Sequence, residues 1–77
     1  MDELHNFVVA FAETFDETPI EDFAPETEFH KLDEWTSING LAILNMIGKK
    51  YGVKLLPQEL RSAITIEDVF KLVVSKK

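Results

Sequence analysis

The sequence predicts an all-α fold, a four-helix bundle with a long loop after the first helix and a short third helix. Two stretches carry apolar residues at helical spacing, and Thr65 opens a third with a helix-capping pattern. The only run that alternates like a strand, Val53-Lys54-Leu55, has no partner strand elsewhere and therefore predicts an extended connection. A chain of 77 residues has room for one small core, so residues 1–77 are expected to form a single domain.

The first helix is predicted from about Asp2 to Asp16. Thr18-Pro19 is expected to stop it, because proline disfavours helical geometry in the residue before it. The loop from Pro19 to about Glu34 mixes acids with apolar residues that should pin it to the core. The helix stripe comprises Leu4, Phe7, Val8, Phe11 and Phe15, and the loop contributes Ile20, Phe23, Phe29 and Leu32.

The second helix is predicted from about Thr36 to Lys50, ending before Gly52, which suits a left-handed cap. Gly40 and Gly48 each weaken it by about 1 kcal/mol relative to alanine. Either the close approach of another backbone or of a ligand arm, or simple tolerance, explains them. The face spaced to meet the core holds Ile43, Leu44, Ile47 and Tyr51. The neighbouring face, expected to be exposed, holds Ile38, Leu41 and Asn45.

The rest of the chain predicts a short helical turn over Pro57 to Arg61 and a last helix capped by Thr65. Asp68 stands at the third helical position, where it completes a capping-box arrangement. The last helix then supplies apolar contacts through Ile66, Val69, Phe70, Leu72 and Val73.

Composition restricts the chemistry of the chain. It contains no cysteine, which excludes disulfides, thiolate metal sites and a cysteine nucleophile. No apolar run approaches the roughly 20 residues of a membrane span, and Met1-Asp2-Glu3 lacks the basic start of a secretion signal. We therefore expect a cytoplasmic protein with no membrane span. We also expect it to be a monomer.

Charge is unevenly divided along the chain. Residues 1–36 hold eleven acids and one base, a net charge of −10, whereas residues 37–77 hold three acids and seven bases, a net charge of +4. Such an acidic surface attracts basic partner proteins and repels nucleic acid. The alternative is a solvated acidic face that only keeps a small protein in solution.

No catalytic or metal-binding constellation is present in the sequence. Gly48-Lys49 lacks the first glycine and the Ser/Thr of a phosphate-binding loop. His5 and His30 have no second ligand at metal spacing and are expected at the surface, and the acidic loop lacks the spacing of a calcium hand. Ser37 has no general base nearby in sequence, so we expect neither an enzyme nor a metal site.

Trp35-Thr36-Ser37-Ile38 lies where the acidic loop ends and an apolar helix begins. A helix N-terminus presents unpaired N–H groups and a partial positive charge, so a phosphate attached to the Ser37 hydroxyl is well tolerated there. The alternative is that Ser37 is only a helix cap.

From Phe29 onward the chain resembles the acyl carrier protein family. Members have an acidic loop, Asp-Ser-Leu at the start of the second helix, an apolar helix ending in an aromatic residue, a proline, and a Thr-Ile/Val-x-Asp start to the last helix. The matching segments are Thr36-Ser37-Ile38, Tyr51-Gly52-Val53, Pro57 and Thr65-Ile66-Glu67-Asp68-Val69.

The resemblance implies a carrier whose Ser37 receives 4′-phosphopantetheine from coenzyme A through a phosphopantetheinyl transferase, with Thr36 beside the attachment point. The arm then carries acyl groups as thioesters to acyl-processing enzymes of fatty acid, polyketide or related biosynthesis. It implies that partner enzymes contact Asp33, Glu34, Trp35, Ile38, Leu41 and Asn45.

The chain departs from the family pattern in two ways. The first concerns modification by the transferase, and the second, a less acidic second helix, points to specialised partners. Thr36 stands where the family has an acid, and Ala42, Gly48 and Lys49 stand where members often carry glutamate. Thr36 favours an alternative, an unmodified helical adaptor that binds a protein through the face of Ile38 and Leu41. A DNA-binding domain is disfavoured by the pI of about 4.7 and by the lack of a basic helix.

Overall fold

The computed structural model describes residues 3–77, which form four α-helices and two short 3₁₀ helices without any strand. The α-helices are α1 (Glu3–Ala12), α2 (Ser37–Tyr51), α3 (Pro57–Ser62) and α4 (Ile66–Lys76). The 3₁₀ helices, Ile20–Asp22 and Phe29–Lys31, lie in the long connection between α1 and α2. The predicted all-α bundle with a long first loop and a short third helix is therefore confirmed.

The end of α1 differs from the prediction. The helix stops at Ala12 and not at Asp16, and its predicted start at Asp2 lies outside the described residues. The Phe11 carbonyl accepts hydrogen bonds from the backbone N–H and the hydroxyl of Thr14, at 3.2 and 2.7 Å. A threonine side chain thus competes with the helical bonding pattern, so α1 ends well before Pro19.

The long connection is pinned to the core by aromatic residues, as expected. Phe29 is fully buried, and the Phe23 ring lies 5.1 Å from that of Phe15 and 6.4 Å from that of Phe11. The expectation for Ile20 is wrong, since 51% of this residue is exposed. The larger Phe23 ring takes the buried place and leaves Ile20 at the outer edge of the loop.

Helix α2 begins one residue later than predicted and ends at Tyr51, followed by Gly52 with a φ of 66° in the left-handed region. The core face is confirmed: Ile43 and Ile47 are fully buried, and Leu44 and Tyr51 pack against the core. Met46 is a further buried residue that the sequence pattern did not single out. The neighbouring face is exposed as expected at Ile38, Leu41 and Asn45.

Helix α4 begins with the predicted capping box. Thr65 Oγ1 accepts from the Asp68 N–H at 3.2 Å, and Asp68 Oδ2 accepts from the backbone N–H of Thr65 at 3.1 Å and of Ile64 at 3.2 Å. These backbone hydrogen bonds, led by that of Thr65, hold the pKa of Asp68 below its ordinary value. Residues 53–55 form the predicted extended connection, in which Val53 and Leu55 are buried.

Candidate functional site

The start of α2 is capped by Thr36 and not by Ser37. Thr36 Oγ1 accepts from the Ile38 N–H at 3.2 Å, while Asn39 Oδ1 accepts from the Thr36 N–H at 2.8 Å and from its hydroxyl at 2.9 Å. The interpretation of Ser37 as a cap is therefore wrong, because its neighbour performs that role. Ser37 is the first residue of the helix, and it is exposed.

The three serines of the chain differ in what their hydroxyls do. All three are exposed. Ser62 Oγ donates to the Glu59 carbonyl at 3.0 Å, and Ser75 Oγ donates to the Leu72 carbonyl at 2.8 Å. Within residues 3–77, the Ser37 hydroxyl has no hydrogen-bond partner. It is therefore the serine oxygen most available to bond with another molecule.

Ser37 lines a groove of about 500 Å³ between α2 and α3. A volume of this size falls within the range of about 300–1,000 Å³ that is usual for small-molecule sites. The other residues lining the groove come from both helices and from the loop before α2: His30, Trp35, Gly40, Leu41, Leu44, Pro57, Leu60 and Arg61.

Trp35 forms one wall of the groove and packs on the core. Its ring centroid lies 5.2 Å from that of Phe29 and 6.4 Å from that of Phe15. The side chain, implied by the resemblance to face partners, is thus largely engaged within the domain and exposes only part of its surface. Its indole ring gives the groove a flat apolar side next to Ser37.

The structure corrects the expectation that His30 is a surface residue. It is half-buried, its ring lies 4.2 Å from Phe29 and 4.9 Å from Trp35, and its Nε2 lies 3.1 Å from the Ala63 carbonyl oxygen. Because a carbonyl oxygen only accepts, Nε2 is the donor of this hydrogen bond. The histidine therefore ties the loop before α2 to the segment after α3.

Glu34 holds the loop before the site in place. Its carboxylate accepts from the backbone N–H groups of Asp16, Glu17 and Thr18 at 2.9, 3.1 and 2.9 Å, and from the Thr18 hydroxyl at 2.7 Å. These hydrogen bonds hold the pKa of the Glu34 carboxyl below its ordinary value, and the bond from the Thr18 hydroxyl contributes more than those from the backbone. Glu34, implied to contact partners, thus bonds within the chain, whereas Asp33 beside it is exposed.

The two glycines of α2 have different surroundings. A Cβ added at Gly40 would lie 3.6 Å from both Leu60 Cδ2 and Trp35 Cη2, which is ordinary van der Waals contact inside the groove. The nearest atom to a Cβ at Gly48 would be the Val53 carbonyl oxygen at 4.0 Å. Neither glycine is required by close packing, and the missing side chain of Gly40 leaves the groove open.

Several residues of the groove were not singled out as functional from the sequence: Leu44, Pro57, Leu60 and Arg61. They meet only because α3 packs across α2, a contact between segments about twenty residues apart. Leu60 is the residue that could have indicated this packing from the sequence, because a short helix can bury an apolar side chain only against a neighbouring helix.

The described residues 3–77 contain no group of three or more His, Asp or Glu side chains placed to hold a metal ion. None of the helices in this part of the chain combines the length and apolar character needed to cross a bilayer.

No family model, no curated protein and no solved structure matches the chain. What the site can bind or react with is therefore inferred from its own residues. These place the Ser37 hydroxyl at the start of α2, beside a largely apolar groove.

Proposed function

We propose that the chain is an acyl carrier protein whose Ser37 carries 4′-phosphopantetheine. The observation that carries the proposal is the Ser37 hydroxyl, which is exposed at the first residue of α2, is not used by the helix cap, and lines a groove of about 500 Å³. The sequence around it resembles the carrier family through Thr36-Ser37-Ile38 and the start of α4.

The residues present fit this group. Attachment requires an accessible hydroxyl, a surrounding that tolerates negative charge, and room for a flexible arm. Ser37 supplies the hydroxyl, and the positive end of a helix of 15 residues stabilises a phosphodiester placed there. The apolar walls beside it, Trp35 and Leu44, give the arm or its cargo a surface on which to rest.

In the attachment reaction, Ser37 Oγ attacks the coenzyme A phosphate next to pantetheine within the active site of a phosphopantetheinyl transferase. The new P–O bond forms at Ser37, the diphosphate bond breaks, 3′,5′-ADP leaves, and the serine proton passes to the transferase. Once bound, the group supplies a thiol that holds acyl groups as thioesters. The carrier contributes position, since a tether raises the effective concentration of its cargo at a docked enzyme.

The surface next to Ser37 supplies the contact for partner enzymes. Ile38 is 77% exposed and Leu41 is 65% exposed, and both lie on α2 within one turn of Ser37. Large apolar side chains this accessible become favourable when a partner covers them. Asp33 adds negative charge for a basic partner surface, and Asn45 extends the same face of α2.

The second candidate is an unmodified helical adaptor that uses the same apolar face. It is favoured by Thr36, because both the backbone and the side chain of this residue are engaged in the cap, and no carboxylate stands in its place beside Ser37. An adaptor needs only Ile38 and Leu41, and makes no use of the free hydroxyl.

Intact mass separates the two candidates. We expect incubation with coenzyme A, Mg²⁺ and a broad-specificity phosphopantetheinyl transferase to add one phosphopantetheine to the wild type and to Ser62→Ala, but none to Ser37→Ala. Ser62→Ala is the matched control, since it also removes one exposed hydroxyl. A wild-type chain that gains no mass with any transferase tried supports the adaptor and contradicts the carrier.

A further inference from the structure

We infer that the groove between α1 and the start of the long connection is a docking site for a basic amphipathic helix of a partner protein. This groove (the α1 groove) has a volume of about 560 Å³, and its lining includes Val8, Val9, Ile20, Glu21 and Phe23. None of its lining residues also lines the groove beside Ser37. The α1 groove is therefore a second surface, and its assignment does not rest on the carrier function.

The walls of the α1 groove are mostly apolar. Val8 and Phe23 are buried, Val9 is half-buried, and about half of Ile20 is exposed. An isoleucine beside an open apolar groove is stabilised when another apolar surface covers it. Residues 3–77 leave Ile20 uncovered, so a second molecule must supply that surface.

The connection is held in the shape that forms the groove. The Phe23 N–H donates to the Ile20 carbonyl at 3.1 Å, which closes a 3₁₀ turn. The Pro25 carbonyl accepts from the Glu67 N–H at 2.9 Å, which ties the connection to α4. Ile20 is therefore exposed on a hydrogen-bonded turn, and a partner meets a groove that is already formed.

Charge around the α1 groove favours a basic partner. Glu21 lines the groove, and the exposed Asp22 and Glu26 each follow a lining residue in the sequence. The ion pairs of residues 3–77 involve other acids, so none of these three carboxylates has an ion-pair partner in that part of the chain. Unpaired carboxylates repel fatty acids, anionic lipid surfaces and nucleic acid, and they attract lysine and arginine.

The backbone beside the groove favours a helix over an extended peptide. One wall is the helix α1, and in the other the N–H groups of Asp22 and Phe23 already donate to the carbonyls of Pro19 and Ile20. An extended peptide finds no free strand edge there, whereas a helix satisfies its own backbone and needs only side-chain contacts. An amphipathic helix presents large apolar side chains to the groove and basic side chains to the surrounding acids.

The probe is a fluorescently labelled peptide of about 18 residues, made of leucine and lysine with the leucines at helical spacing along one face. A second peptide, with glutamate in place of every lysine, has the same apolar face and the opposite charge. Fluorescence anisotropy measures the affinity of each peptide for the full unmodified chain. Amide resonances of the isotope-labelled chain show which surface the bound peptide covers.

We expect the lysine peptide to bind and to shift the resonances of Val9, Ile20 and Glu21, and the glutamate peptide not to bind. Ile20→Ser should weaken binding about tenfold, because it removes the exposed apolar side chain. Glu21→Gln should weaken it roughly two- to fivefold, the range of an exposed ion pair, and high salt should reduce that effect. Glu21→Gln removes no apolar contact, so it tests the groove even if Ile20→Ser disturbs the connection.

Each groove variant has a matched control outside the groove. Ile64→Ser removes an isoleucine of similar exposure, and Glu17→Gln removes an exposed carboxylate of the same connection. Each control should change the affinity less than its groove counterpart. Ser37→Ala should bind the lysine peptide as the wild type does, because Ser37 does not line the α1 groove. Loss of this docking and loss of the carrier function are therefore observed separately.

Four results would contradict the inference. The lysine peptide could fail to bind, or both peptides could bind equally. The shifted resonances could be confined to the face of Ile38 and Leu41, which would assign the binding to the other surface. Sedimentation could show that the chain self-associates and that Ile20→Ser abolishes the association, which would assign the groove to a second copy of this chain.

Discussion

Helices α2 and α4 both begin at a threonine cap, Thr36 and Thr65, and the two starts serve different purposes. At α4 the first residue, Ile66, is fully buried, and its N–H donates to the Thr27 carbonyl at 3.1 Å. At α2 the first residue is Ser37, which is exposed and has no side-chain partner within residues 3–77. The same local motif thus anchors α4 in the bundle, whereas at α2 it leaves an exposed serine hydroxyl without a hydrogen-bond partner within residues 3–77.

The side chains that complete the two capping boxes also differ, in their charge. The α4 box is closed by Asp68, a carboxylate, whereas the α2 box is closed by Asn39, an uncharged amide. A carboxylate at a helix start compensates the partial positive charge of that end of the helix. With an amide there, the positive end of α2 is left for an external anion, which fits the attachment of a phosphate to Ser37.

The largest expected difference between the two starts is in stability. Ile66→Ala removes a fully buried side chain, so we expect the free energy of unfolding to fall by about 2–5 kcal/mol. Ser37→Ala, at the same helix position in α2, should change it by about 0.5 kcal/mol or less. Urea denaturation of both variants measures the contrast. Equal losses would show that the two helix starts are not used differently.

The next effect is on partner binding. Leu41→Glu should weaken binding of the loaded carrier to an acyl-processing enzyme tenfold or more, roughly 1.4 kcal/mol, because it places a charge on the exposed apolar face. Thermal stability should stay within about 1 kcal/mol of wild type. Titration calorimetry and a melting curve measure the two quantities, with the exposed Lys49→Gln as a control. Unchanged binding would remove Leu41 from the docking surface.

A third, smaller effect concerns the rate of modification. Thr36→Asp keeps a good capping residue and adds a carboxylate beside Ser37, at the position where the carrier family has an acid. We expect phosphopantetheine transfer to become faster, because the resemblance to the carrier family implies that a carboxylate at this position helps the transferase and its metal. Timed intact-mass measurements give the rate. A slower reaction would show that the cognate transferase requires threonine at this position.

The smallest effect is a pH dependence that we expect at the α4 start and not at the α2 start. The pKa of Asp68 is lowered by the fold, so its contribution to stability is present above its ordinary pKa of 3.8 and is lost as pH falls through the lowered value. Asn39 at α2 does not titrate. Amide hydrogen exchange should show the α4 start opening in acid, and Asp68→Asn should remove that dependence. Persistence of the dependence in this variant would assign it to another carboxylate.

The sequence predicted those features that depend on local chemistry. Gly52 marked the end of α2, and Thr65 with Asp68 marked the start of α4, because a left-handed cap and a capping box are each specified within a few residues. The end of α1 at Ala12 was missed, since a hydroxyl bond from Thr14 decides it and an apolar stripe does not reveal such a bond.

The site was predicted in part. The position of Ser37 at the start of an exposed apolar face followed from the α2 pattern. His30 is half-buried through a contact with Ala63, 33 positions further along the chain. Glu34 bonds with backbone groups 16 to 18 positions before it. No local sequence pattern encodes contacts over such separations. The groove depends likewise on α3 crossing α2.

The most direct test of the carrier proposal is fragment-ion mass spectrometry on the chain after treatment with coenzyme A and a phosphopantetheinyl transferase. The difference between the serines predicts one phosphopantetheine on Ser37, because Ser62 and Ser75 donate their hydroxyls to carbonyls of their own helices. A label on Ser62 or Ser75, or a wild-type chain that takes no label, would contradict the proposal.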